Sequence, residues 1–322
     1  MSNPNWQNKV TLLVNTCDAY EDLWQPFFTL LQRYFVPLQM RIVVNTETKT
    51  CTFPGLRIDT VNSTAESYGA RMRAALDKID TEYLLLMLDD FFLREPVRMD
   101  RLADIIDWME ADRKIVYFNC DVTEAACDRE VNRYPGYRRL PAGNRYTLNL
   151  QAAVWRTSKM REYWQHDVSP WDWEERCNVL TAAHPQEKFY CVLREEDRFM
   201  DYGYRKGQWM GICHGQWVRE DVVPLFAKEG IEVDFSKRGF LDPNHRPASL
   251  NRSASREDRY RRVYNCLGWK YMLPYFLFCR RCNLYSALHH CAVDEDYFHY
   301  LQRKADLRNK EGKHCLLAPM VR

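Results

Sequence analysis

Six residues without a polar break, Tyr83-Leu-Leu-Leu-Met-Leu88, end on two adjacent aspartates, Asp89 and Asp90. This run constrains the fold more than any other stretch of the chain, because it fits a strand buried on both faces of a parallel or mixed sheet. Two carboxylates at its end would stand at the carboxyl edge of that sheet, where open α/β folds bind ligands. They suit a hard divalent cation held by few protein ligands, with water and a substrate's phosphates completing its shell. They also suit a cap on the following segment, the strand then being only core.

The surrounding pattern alternates between strands and helices. Strands are expected at Val10 to Val14, Met40 to Asn45, Gly55 to Val61 and Ile115 to Asn119. Helices are expected at Leu23 to Tyr34, Ser67 to Ile79 and Asp100 to Ala111. That order predicts a mainly parallel sheet with helices on both faces. Asp121 to Asn144 is a polar excursion that reads as loops or a small antiparallel insert. Further strands are expected at Tyr146 to Trp155, Phe189 to Leu193 and Asp201 to Arg205, and helices at Ser158 to Trp164, from Ser169 onward and at Val222 to Glu229. A loop rich in Pro, Arg and Asn then reaches about Ser255 and marks a boundary, giving domains of 1–250 and 251–322, the second helix-rich.

The chain has 322 residues, enough for one large or two smaller domains. A net charge of +2 gives no reason to propose nucleic-acid binding. The N-terminal residues lack the layout of a signal peptide, and no apolar stretch reaches 18 residues. Twelve scattered cysteines then read as reduced and mostly buried. The expectation is a cytoplasmic protein.

The order of these pieces resembles the GT-A glycosyltransferases, especially the bacterial enzymes that build surface polysaccharides. The likeness runs from about Thr11 to Phe240 and rests on the strings NTCDAYEDLWQPFF, EYLLLMLDDFFL, LNLQAAVW, SPWDWEE and YRKGQW. The adjacent pair Asp89-Asp90 departs from the commoner form with one residue between the aspartates. The resemblance implies a GT-A-like (Rossmann-like) α/β fold with a helical C-terminal extension. It implies transfer of a sugar from a nucleotide-diphosphate donor to a hydroxyl of a glycan or lipid-linked acceptor, with Mn2+ or Mg2+.

By that resemblance Asn15, Thr16 and Asp18 would line the nucleotide pocket, although a turn and helix cap favours the same residue types. Arg71 or Arg73 would meet the diphosphate, since a guanidinium matches phosphate geometry; a solvated helix face suits them equally. Asp90 would hold the cation, and Asp89 the ribose or a metal-bound water. The cation would neutralise the departing diphosphate. His214, within Gly211-Ile-Cys-His-Gly215, is a candidate third ligand or a structural residue, and Arg205 and Lys206 would face phosphate or solvent.

Gln151 would bond a sugar hydroxyl or fill the polar position of an alternating strand. Trp171 and Trp173 suit the apolar face of an acceptor sugar, and a carboxylate beside them is placed to take its proton. Glu174 is the chosen base, with Asp172 and Glu175 as alternates; acidic residues also favour a helix N-terminus for electrostatic reasons alone. A single base without a second nucleophile favours inversion.

In the tail, Cys279, Cys282, His289, His290 and Cys291 form a metal-like grouping, yet Cys279 and Cys282 also share one helix face. The aromatic and basic residues between Trp269 and Arg281 suit a membrane interface presenting a lipid-linked acceptor, or packing against another protein surface. Two other functions fit the same residues. A nucleotidyltransferase also uses carboxylates and a cation, although only Gly55 and Gly69 precede position 136, so no Gly-rich phosphate loop is present near the N-terminus. A non-catalytic carbohydrate-binding or scaffolding protein would use the acids structurally.

Overall fold

The computed structural model describes residues 5–65, 67–122, 133–142, 147–165, 169–184, 186–205 and 208–242. The expected extension 251–322, with Cys279, Cys282, His289, His290 and Cys291, lies outside the described residues, as does Lys206.

Eight strands make the main sheet: β1 (Val10–Asn15), β2 (Arg41–Thr46), β3 (Ile58–Asn62), β4 (Tyr83–Leu88), β5 (Ile115–Asn119), β6 (Tyr137–Leu140), β7 (Ala153–Arg156) and β8 (Lys188–Val192). Their order across the sheet is β3-β2-β1-β4-β7-β5-β8-β6. β6 and β7 run against the other six, so the sheet is mixed and mainly parallel, as the alternating pattern implied.

Helices cover both faces. On one side α1 (Glu21–Tyr34), α3 (Met99–Ala111) and α6 (Arg219–Glu229) pack on Val10, Leu12 and Val14 of β1 and on Leu85 and Met87 of β4. On the other, α2 (Tyr68–Asp77), α4 (Thr157–Tyr163) and α5 (Pro170–Ala183) pack on Leu13, Leu84 and Leu86. Alternate residues of one strand thus serve two cores, which is why β1 and β4 carry unbroken apolar runs. A short hairpin, β9 (Ile212–Cys213) and β10 (Gln216–Trp217), stands apart from the main sheet. Among the described residues no helix is long and apolar enough to cross a membrane. Six cysteines, Cys17, Cys51, Cys120, Cys177, Cys191 and Cys213, are free thiols.

Two expected strands differ in the structure. The segment expected at Tyr146 to Trp155 becomes a strand only at Ala153, because Asn149 turns its side-chain oxygen inward to accept from Tyr117, Asn119 and the Gln151 amide. Asp201 to Arg205 is a loop: Gly203 adopts a left-handed φ of 91°, and Asp201 accepts from the Gly203 amide and pairs with Arg205.

Trp173 on α5 lies flat on Trp164, with ring centroids 4.6 Å apart and planes 9° from parallel, and its indole N–H donates to the Tyr163 carbonyl at 3.1 Å. With no exposed surface it is a core residue. Trp173→Ala is expected to destabilise the fold by about 3–5 kcal/mol, the usual result of emptying a buried tryptophan site, read as a lower urea midpoint at unchanged slope.

Candidate functional site

From β1 the chain builds β2 and β3 to one side, then returns to place β4 on the other side of β1. The direction of winding therefore switches between β1 and β4, and in such sheets the crevice beyond those strand ends is where ligands bind. Parallel register sets Asn15 against Leu88, which brings Thr16 level with Asp89. The Thr16 hydroxyl donates to Asp89, and the Trp24 indole N–H donates to Thr16 at 3.0 Å. One step across, Asn45 donates to the Asn15 side-chain oxygen at 2.9 Å, and Asn15 donates to the Tyr68 hydroxyl at 2.7 Å.

Asp90 is held through its backbone. Its carbonyl accepts from the Ile212 amide at 3.0 Å, bringing the β9–β10 hairpin against the acid pair. Gly211 makes that approach possible: a Cβ there would lie 1.9 Å from the Asp90 carbonyl oxygen, and its φ of 57° is left-handed. The Gly211 amide donates to Asp221 at 2.7 Å, and Asp221 is paired with Arg94. The Asp90 carboxyl itself is left open: Oδ1 is enclosed and has no hydrogen-bond partner among the described residues.

Burial pushes the Asp90 carboxyl up to about 7. Burial also raises Asp89 well above the usual carboxylate range, with Asp90's charge adding to it and the Thr16 bond and Arg238 opposing it. The Tyr68 phenol is raised first by burial and then by the charges of Glu174 and Asp90. Glu174 accepts from the Leu150 amide at 2.9 Å, fixing it to the loop that leads into β7. An enclosed carboxylate oxygen without a donor, beside a second buried carboxylate, is a donor set that fits a hard divalent cation.

Asn15 and Thr16 stand with Asp89 and Asp90 at the ends of β1 and β4, Tyr68 joins them through Asn15, and the other expected residues make contacts of their own. Asp18 points at the turn after β2, accepting from the amides of Glu47, Thr48 and Lys49 and from the Thr48 hydroxyl at 2.5 Å. Despite some desolvation, these bonds hold its carboxyl at about 2. Arg71 donates to the Ala65 carbonyl at 3.0 Å and lies 3.6 Å from Glu47, while Arg73 is half-buried on the same helix. Gln151 accepts from the Tyr202 hydroxyl at 2.7 Å. Trp171 is 74% exposed, in contrast to Trp173. The side chains of Asp172 and Glu175 lie outside the described residues. Arg205 is tied to Asp201.

His214 is exposed at the tip of the β9–β10 hairpin, where it and Gly215 have φ of 51° and 79°. Positive φ at both central residues is what a tight two-residue hairpin turn requires. Among the described residues His214, Asp89 and Asp90 do not all lie within 4.8 Å of one another. The carboxylate–imidazole group that does converge, Glu162, His184 and Glu187, lies by the amino end of β8 at the opposite edge of the sheet. Lys159 already fills it, 2.7 Å from both carboxylates.

Sequence reasoning missed Tyr68, which it read as helix packing, and also Asn45, Tyr20 and Arg238. Arg238 donates to Asp22 and to the Gly215 carbonyl and covers the Tyr20 ring at 4.4 Å. It borders a hollow of about 480 Å3 together with Asp18, Lys49 and Lys237. No local pattern marks these residues, since their partners are up to 219 positions away.

A carboxyl whose folded-state pKa is raised loses stability as pH climbs from its unfolded value, about 4, to its folded value. For Asp90 that window ends at about 7. Asp90→Asn cannot ionise, so without added cation it is expected to gain about 2–4 kcal/mol on the wild type between pH 4 and pH 8. Urea unfolding at both pH values checks this; equal pH slopes for the two proteins would contradict it.

No protein-family model matches the chain, and no curated protein matches it in sequence. Among solved structures it is similar to the S. aureus TarS fragment 1-349, with a TM-score of 0.37, 12% identity and coverage of 59% of this chain and 61% of that one. The same fragment in complex with UDP matches at 0.37 and 12% identity, over 59% of this chain and 62% of that one. The mannosyltransferase PcManGT from Pyrobaculum calidifontis, in complex with GDP-Man and Mn2+, matches at 0.41 and 14%, over 96% of this chain and 82% of that one. The chain thus spans less than two thirds of either TarS fragment. At these scores the likenesses assign no activity to it.

Proposed function

We propose that this protein is a metal-dependent GT-A-type glycosyltransferase. It moves a sugar from a nucleotide-diphosphate donor to a hydroxyl of a glycan or lipid-linked acceptor, in surface-polysaccharide assembly at the cytoplasmic side of the membrane. The observation that carries this reading is the Asp89–Asp90 pair. Asp89 is buried and Asp90 half-buried at the carboxyl end of β4, beside the switch in winding, and the enclosed Asp90 Oδ1 has no partner among the described residues. A divalent cation held by Asp90, with Asp89 behind it, would neutralise charge on a departing diphosphate.

The chain's own groups supply the remainder. Asn15 and Thr16 line the floor beside β1, positioned by Asn45 and Trp24. Glu174, oriented by the Leu150 amide, accepts the proton of the attacking hydroxyl. The exposed Trp171 indole offers an apolar face to the acceptor sugar. One base and direct displacement give inversion at the anomeric carbon.

A bound donor stabilises the native state by mass action, about 2.7 kcal/mol at a hundred times Kd. Thermal melts with GDP, UDP, GDP-mannose and UDP-sugars, each with and without Mn2+ or Mg2+, are expected to show a cation-dependent rise that Asp90→Ala abolishes. A folded wild type that no nucleotide stabilises would overturn the reading. With the donor identified, Glu174→Gln is expected to keep donor affinity while turnover falls about 10²–10⁴-fold. Turnover at the wild-type rate would remove Glu174 from the role of base.

A further inference from the structure

At the carboxyl edge of the sheet two enclosed carboxylate oxygens have no hydrogen-bond partner among the described residues, Asp90 Oδ1 and Asp121 Oδ2. The first belongs to the site above. The second stands two residues beyond β5, which lies two places from β4 with β7 between them. Two strand spacings amount to about 10 Å. Asp121 is 2% exposed, and its other oxygen is fully engaged, accepting from Arg198 Nε at 3.0 Å, from Arg198 Nη2 and from the Val122 amide at 2.7 Å. A buried carboxylate oxygen without a donor is costly, and a folded protein rarely keeps one without a use.

Between the two acids stand a polar side chain and a group of aromatic rings. Gln151 stands just before the amino end of β7, midway between β4 and β5, and its side-chain oxygen accepts from Tyr202. Tyr202 is close enough to Asp121 to feel its charge. Phe91, the residue after Asp90, meets Tyr202 and Tyr204 edge-on at centroid distances of 5.5 and 5.9 Å. Aromatic edges and faces suit the C–H surface of a sugar ring, while a carboxylate that only accepts selects a hydroxyl.

We infer that Asp121, held by Arg198, recognises a hydroxyl of the glycosyl group in a nucleotide sugar whose diphosphate end is held at Asp90, with Gln151 contacting the ring between them. This rests on the transferase reading and names the part of the molecule that selects the sugar.

The test compares nucleoside diphosphates with their matching nucleotide sugars, GDP with GDP-mannose and UDP with UDP-glucose or UDP-N-acetylglucosamine, by calorimetric titration in Mn2+. The proteins are the full chain, Asp121→Asn and Gln151→Leu. Asparagine keeps an oxygen for Arg198 and Val122 while replacing the acceptor at Oδ2. Asp121→Asn is expected to bind the diphosphate within about twofold of wild type and the preferred nucleotide sugar about 10–100-fold more weakly. If Asp121→Asn fails to fold around the Arg198 charge, Gln151→Leu decides, with a loss confined to the nucleotide sugar. Unchanged nucleotide-sugar affinity in the folded variants, or a wild type that binds sugar nucleotides no better than diphosphates, overturns the inference and leaves the transferase reading standing. A wild type that binds neither overturns both.

Discussion

Holding two adjacent carboxylates, one buried and one half-buried, at the end of a strand is the constraint around which the rest of the site is arranged. Each must be held in place without being neutralised. Asp89 meets this with the Thr16 hydroxyl, which exists at that height only because β1 and β4 run residue against residue in parallel. Asp90 is fixed through its carbonyl by the hairpin, and the hairpin is fixed in turn by Asp221 and Arg94. The bare hydrogen at Gly211 lets these layers touch. The backbone is thus tied on every side while one carboxylate oxygen stays available, the arrangement expected where a ligand supplies the missing contact.

The frame of the fold was legible because it depends on local pattern. The span of β4 is the apolar run itself, and β5 begins and ends where its own run does. What was not legible depends on contacts far apart in sequence. Asp18 gives both its oxygens to the turn after β2, about thirty positions later, while still bordering the hollow beside Arg238. The strand expected before Trp155 fails at Asn149 and Gln151, whose amides serve a buried network that only the folded sheet creates. One difference was within reach of the sequence. Trp171 and Trp173 are two apart on a helix, about 200° around its axis, so one surface cannot use both; the structure buries Trp173 and exposes Trp171.

Gln151 shows how two misread segments meet. It was expected inside a strand and stands in the loop before β7, and its partner Tyr202 lies in a segment that also looked like a strand and is a loop. That loop, with its left-handed Gly203 beside Arg94, joins the support of the hairpin to the aromatic residues next to Asp90. Support and candidate recognition residues therefore share one short stretch of chain.

Most buried acids of the fold have a base beside them, and the Asp89–Asp90 pair departs from that pattern. At the amino edge acids are matched by bases: Glu82 with Arg156 and Arg113, Asp112 with Lys188, Glu187 with Lys159. At the carboxyl edge Asp89 and Asp90 are crowded into one turn and left under-compensated. A near-neutral total of +2 does not describe the surroundings of this pair. Fields add locally, not through the total, so a small cation in solution responds to these two carboxylates and not to the balance of the whole chain.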